Sequence, residues 1–145
     1  MKEQSLHNLD AILVPISGGG MCSGIALAAK KINPSTKIIA IEPYSSPVLS
    51  KGIKGSHNVE GVGLGFVPAI YDPKLVDSVM TIDESLARQT SRDLATKEGI
   101  FCGTSSGMNV AAAIQISKKL GPSSKVVAVA CDTGLKYLSE GLFDN

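Results

Sequence analysis

Short apolar runs alternate with longer amphipathic segments along this chain. Residues 11–16 (AILVPI) are apolar throughout, which predicts a strand that is buried on both faces. Residues 20–32 predict a helix, whose buried stripe should comprise Met21, Ile25, Ala28, Ala29 and Ile32. A second strand is predicted over residues 37–42, before Pro43. Together these segments form a βαβ unit, in which we expect parallel strands and a right-handed crossover.

The same alternation returns after a long segment rich in glycine and proline. Residues 44–76 have closely spaced Gly and Pro residues, which predicts a mostly irregular surface segment. The remaining predicted elements are a strand over 77–82, a helix capped by Asp83 and running to Lys97, a helix opening within 103–107 and running to Leu120, and a strand over 125–131. The predicted fold class is α/β, with three layers and a mainly parallel sheet, in a single unit over residues 1–145.

The turn after the first strand is the main candidate for chemistry. Residues 17–24 (SGGGMCSG) follow a buried strand and open a helix. Glycines let the backbone turn sharply, and the first N–H groups of a helix attract anions. The residues alone leave three interpretations open: a dinucleotide site with Glu42 on the ribose hydroxyls, a compact phosphate cradle, and a tight turn without a ligand.

Two further turns could lie at the same edge of the sheet. Residues 103–107 (GTSSG) open a helix, and residues 132–134 (DTG) follow the last strand. The simplest interpretation of the 103–107 turn is that one Ser or Thr caps the helix, but three hydroxyls leave spare polar groups for a ligand. Ligands on parallel sheets bind beyond the carboxyl ends of the strands, so the three turns could surround one site.

Composition narrows the classes of function. The formal net charge is +1 with scattered Lys and Arg, and Trp is absent, which argues against a nucleic-acid or membrane-surface partner. Cys22, Cys102 and Cys131 are widely spaced, so we expect reduced thiols in a cytoplasmic protein, with Cys22 as a small apolar filler. His7 and His57 have no ligand partners at a suitable spacing, so we expect both at the surface and no metal site.

Four segments carry a family resemblance when they are taken in order. They are residues 14–21 (VPISGGGM), 41–43 (IEP), 60–68 (EGVGLGFVP) and 99–107 (GIFCGTSSG), and the tail at 132–139 (DTGLKYLS) extends them. This set resembles the fold type II, or tryptophan-synthase-β type, family of pyridoxal-phosphate (PLP) enzymes, and most closely its cysteine synthase and cystathionine β-synthase group. The resemblance covers essentially all 145 residues.

The resemblance implies roles for individual residues. Those that correspond to the family's phosphate loop are Ser17, Gly18, Gly19, Gly20 and Met21. Ser105 corresponds to the serine whose hydroxyl meets the pyridine nitrogen, which leaves the ring unprotonated and a weaker electron sink. Gly61 and Gly63 correspond to a glycine loop near the substrate. Cysteine synthases usually carry Gly-Thr-Gly-Gly-Thr in the phosphate loop, so the loop here is closer to that of serine racemase and serine/threonine dehydratases.

The resemblance also implies what the chain lacks. The family's Schiff-base lysine lies in an N-terminal Ser-x-Lys segment that has no counterpart here. We therefore expect the C-terminal portion of such an enzyme, with no catalytic residue of its own and no activity in isolation. The implied reaction of the complete enzyme is β-replacement on an amino-acid substrate, O-acetylserine plus sulfide giving cysteine, in a homodimer or with a complementary N-terminal half.

Two alternatives to this function stay open. The Gly-Gly-Gly-Met loop favours β-elimination by a serine/threonine dehydratase or a serine racemase-like enzyme. A non-catalytic PLP-binding or interaction module would keep the phosphate site and bind a partner through exposed apolar surface.

Overall fold

One four-stranded sheet, in the order β3-β2-β1-β4, forms the centre of the molecule. The computed structural model describes residues 8–144, so His7 lies outside the described residues. The strands are β1 (Ala11–Pro15), β2 (Lys37–Pro43), β3 (Ser78–Ile82) and β4 (Val126–Ala128). All three pairings are parallel, with β1 between β2 and β4. The predicted α/β class with a parallel sheet is confirmed.

The helices begin and end close to the predicted positions. They are α1 (Gly20–Ile32), α2 (Val48–Lys51), α3 (Glu84–Glu98) and α4 (Thr104–Leu120), with 3-10 helices at Pro73–Leu75 and Gly134–Glu140. Asp83 caps α3 as predicted, because its side chain accepts a hydrogen bond from the Ser85 N–H at 2.8 Å. Residues 44–76 are mostly irregular, apart from α2 and the first 3-10 helix. No helix within residues 8–144 is long and apolar enough to cross a bilayer.

Alternate residues of the strands face two separate cores, which gives the predicted three layers. Ala11 and Leu13 of β1 pack on the side of α3 and α4. Ile12 and Val14 pack on the side of α1. The continuously apolar strands are therefore explained by burial on both faces.

The buried face of α1 matches the predicted stripe only in part, since Ala29 is buried and Ile25 packs against the core as predicted. Its buried residues are Cys22, Ser23, Ala26 and Ala29, whereas Met21 and Ile32 are each 42% exposed. Small side chains on the inner face let α1 approach its neighbours closely, and the Ser23 hydroxyl donates a hydrogen bond to the Ile70 carbonyl at 2.8 Å. Apolar periodicity alone favoured the larger side chains and missed this close approach.

Candidate functional site

The three predicted turns meet around one cleft at the carboxyl ends of β1 and β4. The cleft has a volume of about 300 Å³. Pro15, Ser17 and Met21 line it from the end of β1 and the first turn, and Ser105 lines it from the start of α4. The remaining lining residues are Glu60, Gly61, Val62, Cys131, Asp132, Lys136 and Tyr137. A ligand in this cleft would touch Ser17 and Met21, which flank the three glycines, and Ser105 at the start of α4. Of the five predicted phosphate-loop residues, Gly18, Gly19 and Gly20 do not themselves line the cleft.

The glycine turn presents the start of α1 to the cleft. Gly19 is the N-cap residue with φ +86°, and no side chain caps the helix. A Cβ on Gly19 would lie 3.0 Å from Ile70 Cγ2 and 3.1 Å from Tyr71 N. The first helical bond runs from the Ser23 N–H to the Gly19 carbonyl, so the preceding N–H groups of the first turn have no helical acceptor. The first turn carries no acidic residue, and such a helix start favours an anion.

Neighbouring glycines leave the space in front of this helix start free. A Cβ at Gly18 or Gly20 would meet no atom within 4 Å. Glycine at these two positions is therefore not explained by crowding within the protein. Bare backbone at both positions suits the close approach of a phosphate.

The helix α4 begins without the predicted side-chain cap. Its N-cap residue is Gly103, and no Ser or Thr side chain bonds to the first turn, so the capping interpretation is wrong. The Ser106 hydroxyl instead accepts a hydrogen bond from the Cys131 N–H at 2.8 Å. Ser105 is 4% exposed and lines the cleft. The Ser106 hydroxyl therefore bonds to the backbone of another segment and Ser105 lines the cleft, and neither side chain caps α4.

Gly103 allows the tail of the chain to pack over the start of α4. A Cβ there would collide with the Tyr137 ring and lie 2.5 Å from Asp132 Oδ1. Tyr137 donates its hydroxyl to Asp132 Oδ2 at 2.6 Å. Burial, and then the Asp132 carboxylate, raise the pKa of Tyr137. Lys136 Nζ lies 3.8 Å from Asp132 Oδ2, so this end of the cleft carries a tyrosine, a carboxylate and an ammonium group.

The three cysteines are free thiols, as expected. Burial raises the pKa of Cys22 to about 11, which agrees with its interpretation as an apolar filler. Burial also raises the pKa of Cys131, and a hydrogen bond with Ser105 partly opposes that shift. Both groups are therefore neutral thiols near pH 7 rather than nucleophilic thiolates.

Glu42 cannot take the role that a dinucleotide site would give it. The residue is 2% exposed, and its carboxylate accepts hydrogen bonds from Leu49 N at 2.7 Å, Ser50 N at 3.0 Å and Ser50 Oγ at 2.5 Å. Those bonds bind the first turn of α2 to the end of β2. Both carboxylate oxygens of Glu42 already accept hydrogen bonds within the protein, so this residue is not available to bind ribose hydroxyls. The structure therefore contradicts the role that the dinucleotide interpretation gives to Glu42.

The two residues of the predicted substrate loop differ in their relation to the cleft. Gly61 lines the cleft, but Gly63 does not. Gly63 has φ +60°, and a Cβ there would lie 2.5 Å from His57 Nε2. His57 Nε2 lies 3.0 Å from the Gly63 carbonyl, so His57 is half-buried against this loop rather than free at the surface.

A larger cavity of about 630 Å³ shares Glu60 with the cleft as a lining residue. It contains none of the predicted site residues and is lined mainly by charged and polar side chains, namely His57, Asn58, Val59, Glu60, Glu84, Arg88 and Glu140. Within residues 8–144, no group of three or more metal-ligating side chains is found. The smaller cleft therefore remains the candidate site.

Sequence reasoning missed several residues of the cleft. It placed the 132–134 turn nearby, but Lys136 and Tyr137 enter because the second 3-10 helix folds back over α4. Glu60 and Val62 enter from the irregular segment. A segment without periodicity gives no signal of which side chains will point inward.

Comparison with known proteins establishes the family. A family model described as "Pyridoxal-phosphate dependent enzyme" matches residues 1–132. The chain belongs to this family of pyridoxal-phosphate dependent enzymes. A cysteine synthase of Staphylococcus aureus is 42% identical over 135 residues, which are 93% of this chain and 44% of that protein.

Solved structures of the family share the fold of this chain. The cysteine synthase of Entamoeba histolytica superposes with a TM-score of 0.92 at 31% identity, over 99% of this chain and 43% of that one. The O-acetylserine dependent cystathionine β-synthase of Helicobacter pylori gives 0.91 at 31% identity, over 97% and 46%. An O-ureido-L-serine synthase gives 0.89 at 36% identity, over 95% and 44%. The chain thus spans less than half the length of these relatives.

The cleft fits the family's cofactor. PLP combines a phosphate with an aromatic pyridine ring. The uncapped start of α1, free of acidic residues, suits the phosphate. The hydroxyl of Ser105, which lines the same cleft, suits a ring nitrogen, and Pro15, Met21 and Val62 provide apolar surface for the ring.

Proposed function

We propose that this chain forms the phosphate and ring-nitrogen side of a PLP site in a cysteine synthase-like enzyme. One observation carries the proposal: the uncapped start of α1 and the Ser105 hydroxyl face the same cleft. The phosphate would lie on the backbone of residues 17–21, with the ring nitrogen towards Ser105. When bound, the cofactor supplies an electron sink for the loss of a β-substituent from an amino acid and the addition of a nucleophile.

The residues of the chain would bind and orient the cofactor. Backbone N–H groups at the start of α1 would hold the phosphate, without help from the threonine hydroxyls usual in cysteine synthases. The neutral Ser105 hydroxyl would donate a hydrogen bond to the ring nitrogen and leave that nitrogen unprotonated. This arrangement favours β-replacement over reactions that need a strongly electron-withdrawing ring.

The substrate and partners follow from the relatives. O-acetylserine and sulfide are the proposed substrates, because cysteine synthases of S. aureus and E. histolytica are among the similar proteins. We also propose a homodimeric, cytoplasmic enzyme in which the covalent lysine comes from outside these 145 residues. β-Elimination is the second candidate, supported by the Gly-Gly-Gly-Met loop at residues 18–21.

The cofactor proposal is tested by titrating the chain with pyridoxamine 5′-phosphate, which has the phosphate and ring but no aldehyde. We expect calorimetric binding of this ligand and none of NAD. Met21→Glu, at the helix start, should weaken binding about tenfold or more through charge repulsion. Leu27→Glu is the matched control, because it makes the same change at an exposed position later in α1.

Two outcomes would contradict the proposal. One is tighter binding of NAD than of pyridoxamine phosphate, and the other is equal effects of the two glutamate substitutions. Once a lysine-bearing portion is present, sulfide-dependent formation of cysteine would separate β-replacement from β-elimination, which releases pyruvate. Binding without either product would indicate the non-catalytic module.

A further inference from the structure

Asn109 lies one turn beyond Ser105 in α4 and is completely buried, at 0% exposure. Its Nδ2 donates hydrogen bonds to the Leu13 carbonyl at 2.9 Å and the Val129 carbonyl at 3.0 Å. Leu13 lies in β1, and Val129 directly follows β4. One side chain therefore bridges two neighbouring strands at the point where they separate.

The separation of these strands is not explained by their sequences. Pairing runs from Ala11↔Val126 to Leu13↔Ala128 and then stops, although β1 continues to Pro15 and residues 129–131 are apolar enough to continue β4. Beyond this point the Val129 carbonyl bonds to Asn109, and the Cys131 N–H bonds to the Ser106 hydroxyl at 2.8 Å. Two side chains of α4 thus replace β1 as the partner of residues 129–131. Buried backbone groups require such partners.

The cleft opens between the two diverging segments. Pro15 and Ser17, which come after the last β1 residue paired with β4, line the cleft. Cys131 and Asp132, which come after the end of β4, line it as well. Paired strands lie about 4.8 Å apart, which leaves no space for an aromatic ring between them.

We propose that Asn109 is a positioning residue that holds residues 129–131 away from β1 and thereby sets the width of the cleft. The Asn109 Oδ1 atom supports this role, because it is buried and has no hydrogen-bond donor among the described residues. A buried amide with an unpaired oxygen is unfavourable. An apolar side chain of similar size would avoid that penalty but could not bond to either carbonyl. The effect of Asn109 on cofactor binding rests on the proposed function, whereas its effect on the backbone of residues 129–131 does not.

The first test measures amide hydrogen exchange in the ligand-free chain. Asn109→Leu should accelerate exchange at Cys131 about tenfold or more relative to the amides of β2. Asn109→Ala, which removes the same two hydrogen bonds with a smaller side chain, should give the same localised pattern and keeps the test decisive if Asn109→Leu does not fold. Ile116→Ala is the control, since Ile116 packs on the core farther along α4. It should accelerate all protected amides by a similar factor.

The second test compares two ligands. Inorganic phosphate would need only the backbone of residues 17–21, whereas pyridoxamine phosphate would also extend to Ser105. Asn109→Leu or Asn109→Ala should weaken pyridoxamine phosphate about tenfold while changing the affinity for inorganic phosphate less than about twofold. Equal weakening of both ligands, or uniform exchange in the variants, would overturn the positioning role. If the wild-type chain binds neither ligand, the proposed function fails, and the exchange pattern still decides the role of Asn109.

Discussion

Gly19 holds the glycine turn after β1 in a backbone conformation that other residues rarely adopt. Its φ of +86° and the close approach of Ile70 and Tyr71 both disfavour a side chain. Gly19→Ala should therefore lower the free energy of unfolding by about 1–3 kcal/mol. Gly18→Ala is the matched control and should change it by less than about 0.5 kcal/mol, because its Cβ would meet no neighbour. Urea unfolding of both variants checks the difference, and an equal loss in both would contradict the argument.

Single residues could be predicted from the sequence where local chemistry determines their position. The glycine turn at 17–20 and the cap at Asp83 are local features, because each depends on a few consecutive residues. Lys136 could not be placed in the cleft, because its position depends on packing of the tail over Gly103. The commitment of Glu42 to α2 likewise depends on a segment without periodicity.

Helix α4 approaches α3 closely at Gly107. A Cβ at Gly107 would collide with the Ala87 carbonyl and the Ser91 hydroxyl. Gly107→Ala should destabilise the protein by roughly 1–3 kcal/mol through overpacking. Gly24→Ala is the control within another helix, where a Cβ would meet nothing within 4 Å. That substitution should stabilise the protein by about 0.5–1 kcal/mol. In thermal unfolding, the melting temperature should fall for Gly107→Ala and rise for Gly24→Ala.

Asp77 joins α1, β2 and the approach to β3. It accepts hydrogen bonds from Lys30 Nζ at 2.7 Å and the Ile38 N–H at 2.8 Å, and its side chain is 23% exposed. Burial raises the pKa of Asp77, but the hydrogen bonds from Ile38, Lys30 and Lys37 together lower it below its usual value. A lowered folded-state pKa stabilises the protein above the unfolded value of about 3.9, and this contribution is lost as the pH falls through the folded-state pKa.

Asp77→Asn should therefore reduce stability by about 1–2 kcal/mol at pH 7. It should also flatten the fall in stability below pH of about 4. Asp93→Asn is a suitable control, because Asp93 forms an exposed pair with Lys97 and should contribute little. Denaturant unfolding at several pH values measures both effects. Parallel pH profiles for the wild type and Asp77→Asn would exclude this role for Asp77.

At the level of elements, the sequence predicted where helices begin but only part of the face that α1 buries. The bounds of α1 agree because glycine and the Asn33–Pro34 pair act locally. Its predicted buried stripe was right at Ala29 and wrong at Met21 and Ile32. Close packing instead selects small residues such as Cys22 and Ala26 for the buried face. Strand β4 is shorter than the predicted 125–131, because Ser106 and Asn109 bond to the residues that would have extended it. Hydrophobic periodicity cannot show when side chains, rather than a neighbouring strand, bond to the backbone of a segment.

At the level of the whole molecule, the cleft carries only part of what the proposed function needs. It has an uncapped helix start and a serine hydroxyl, to which the proposal assigns the phosphate and the ring nitrogen. Of the described residues that line it, Lys136 alone is a lysine, and its side chain is 65% exposed and paired with Asp132. The chain spans 44% of the S. aureus cysteine synthase, so the lysine that holds the cofactor's aldehyde is proposed to come from elsewhere in the enzyme.

The 145-residue chain should therefore bind pyridoxamine phosphate but form no cysteine from O-acetylserine and sulfide. A sulfide-dependent cysteine assay measures the second property. Borohydride reduction in the presence of PLP, followed by mass spectrometry, should show no covalent adduct beyond that of the Lys136→Ala variant. Turnover by the isolated chain, or specific capture on Lys136, would show that this chain carries its own cofactor lysine. If turnover is restored when a lysine-bearing portion is supplied, this chain would contribute the non-covalent binding of the cofactor and the added portion its covalent attachment.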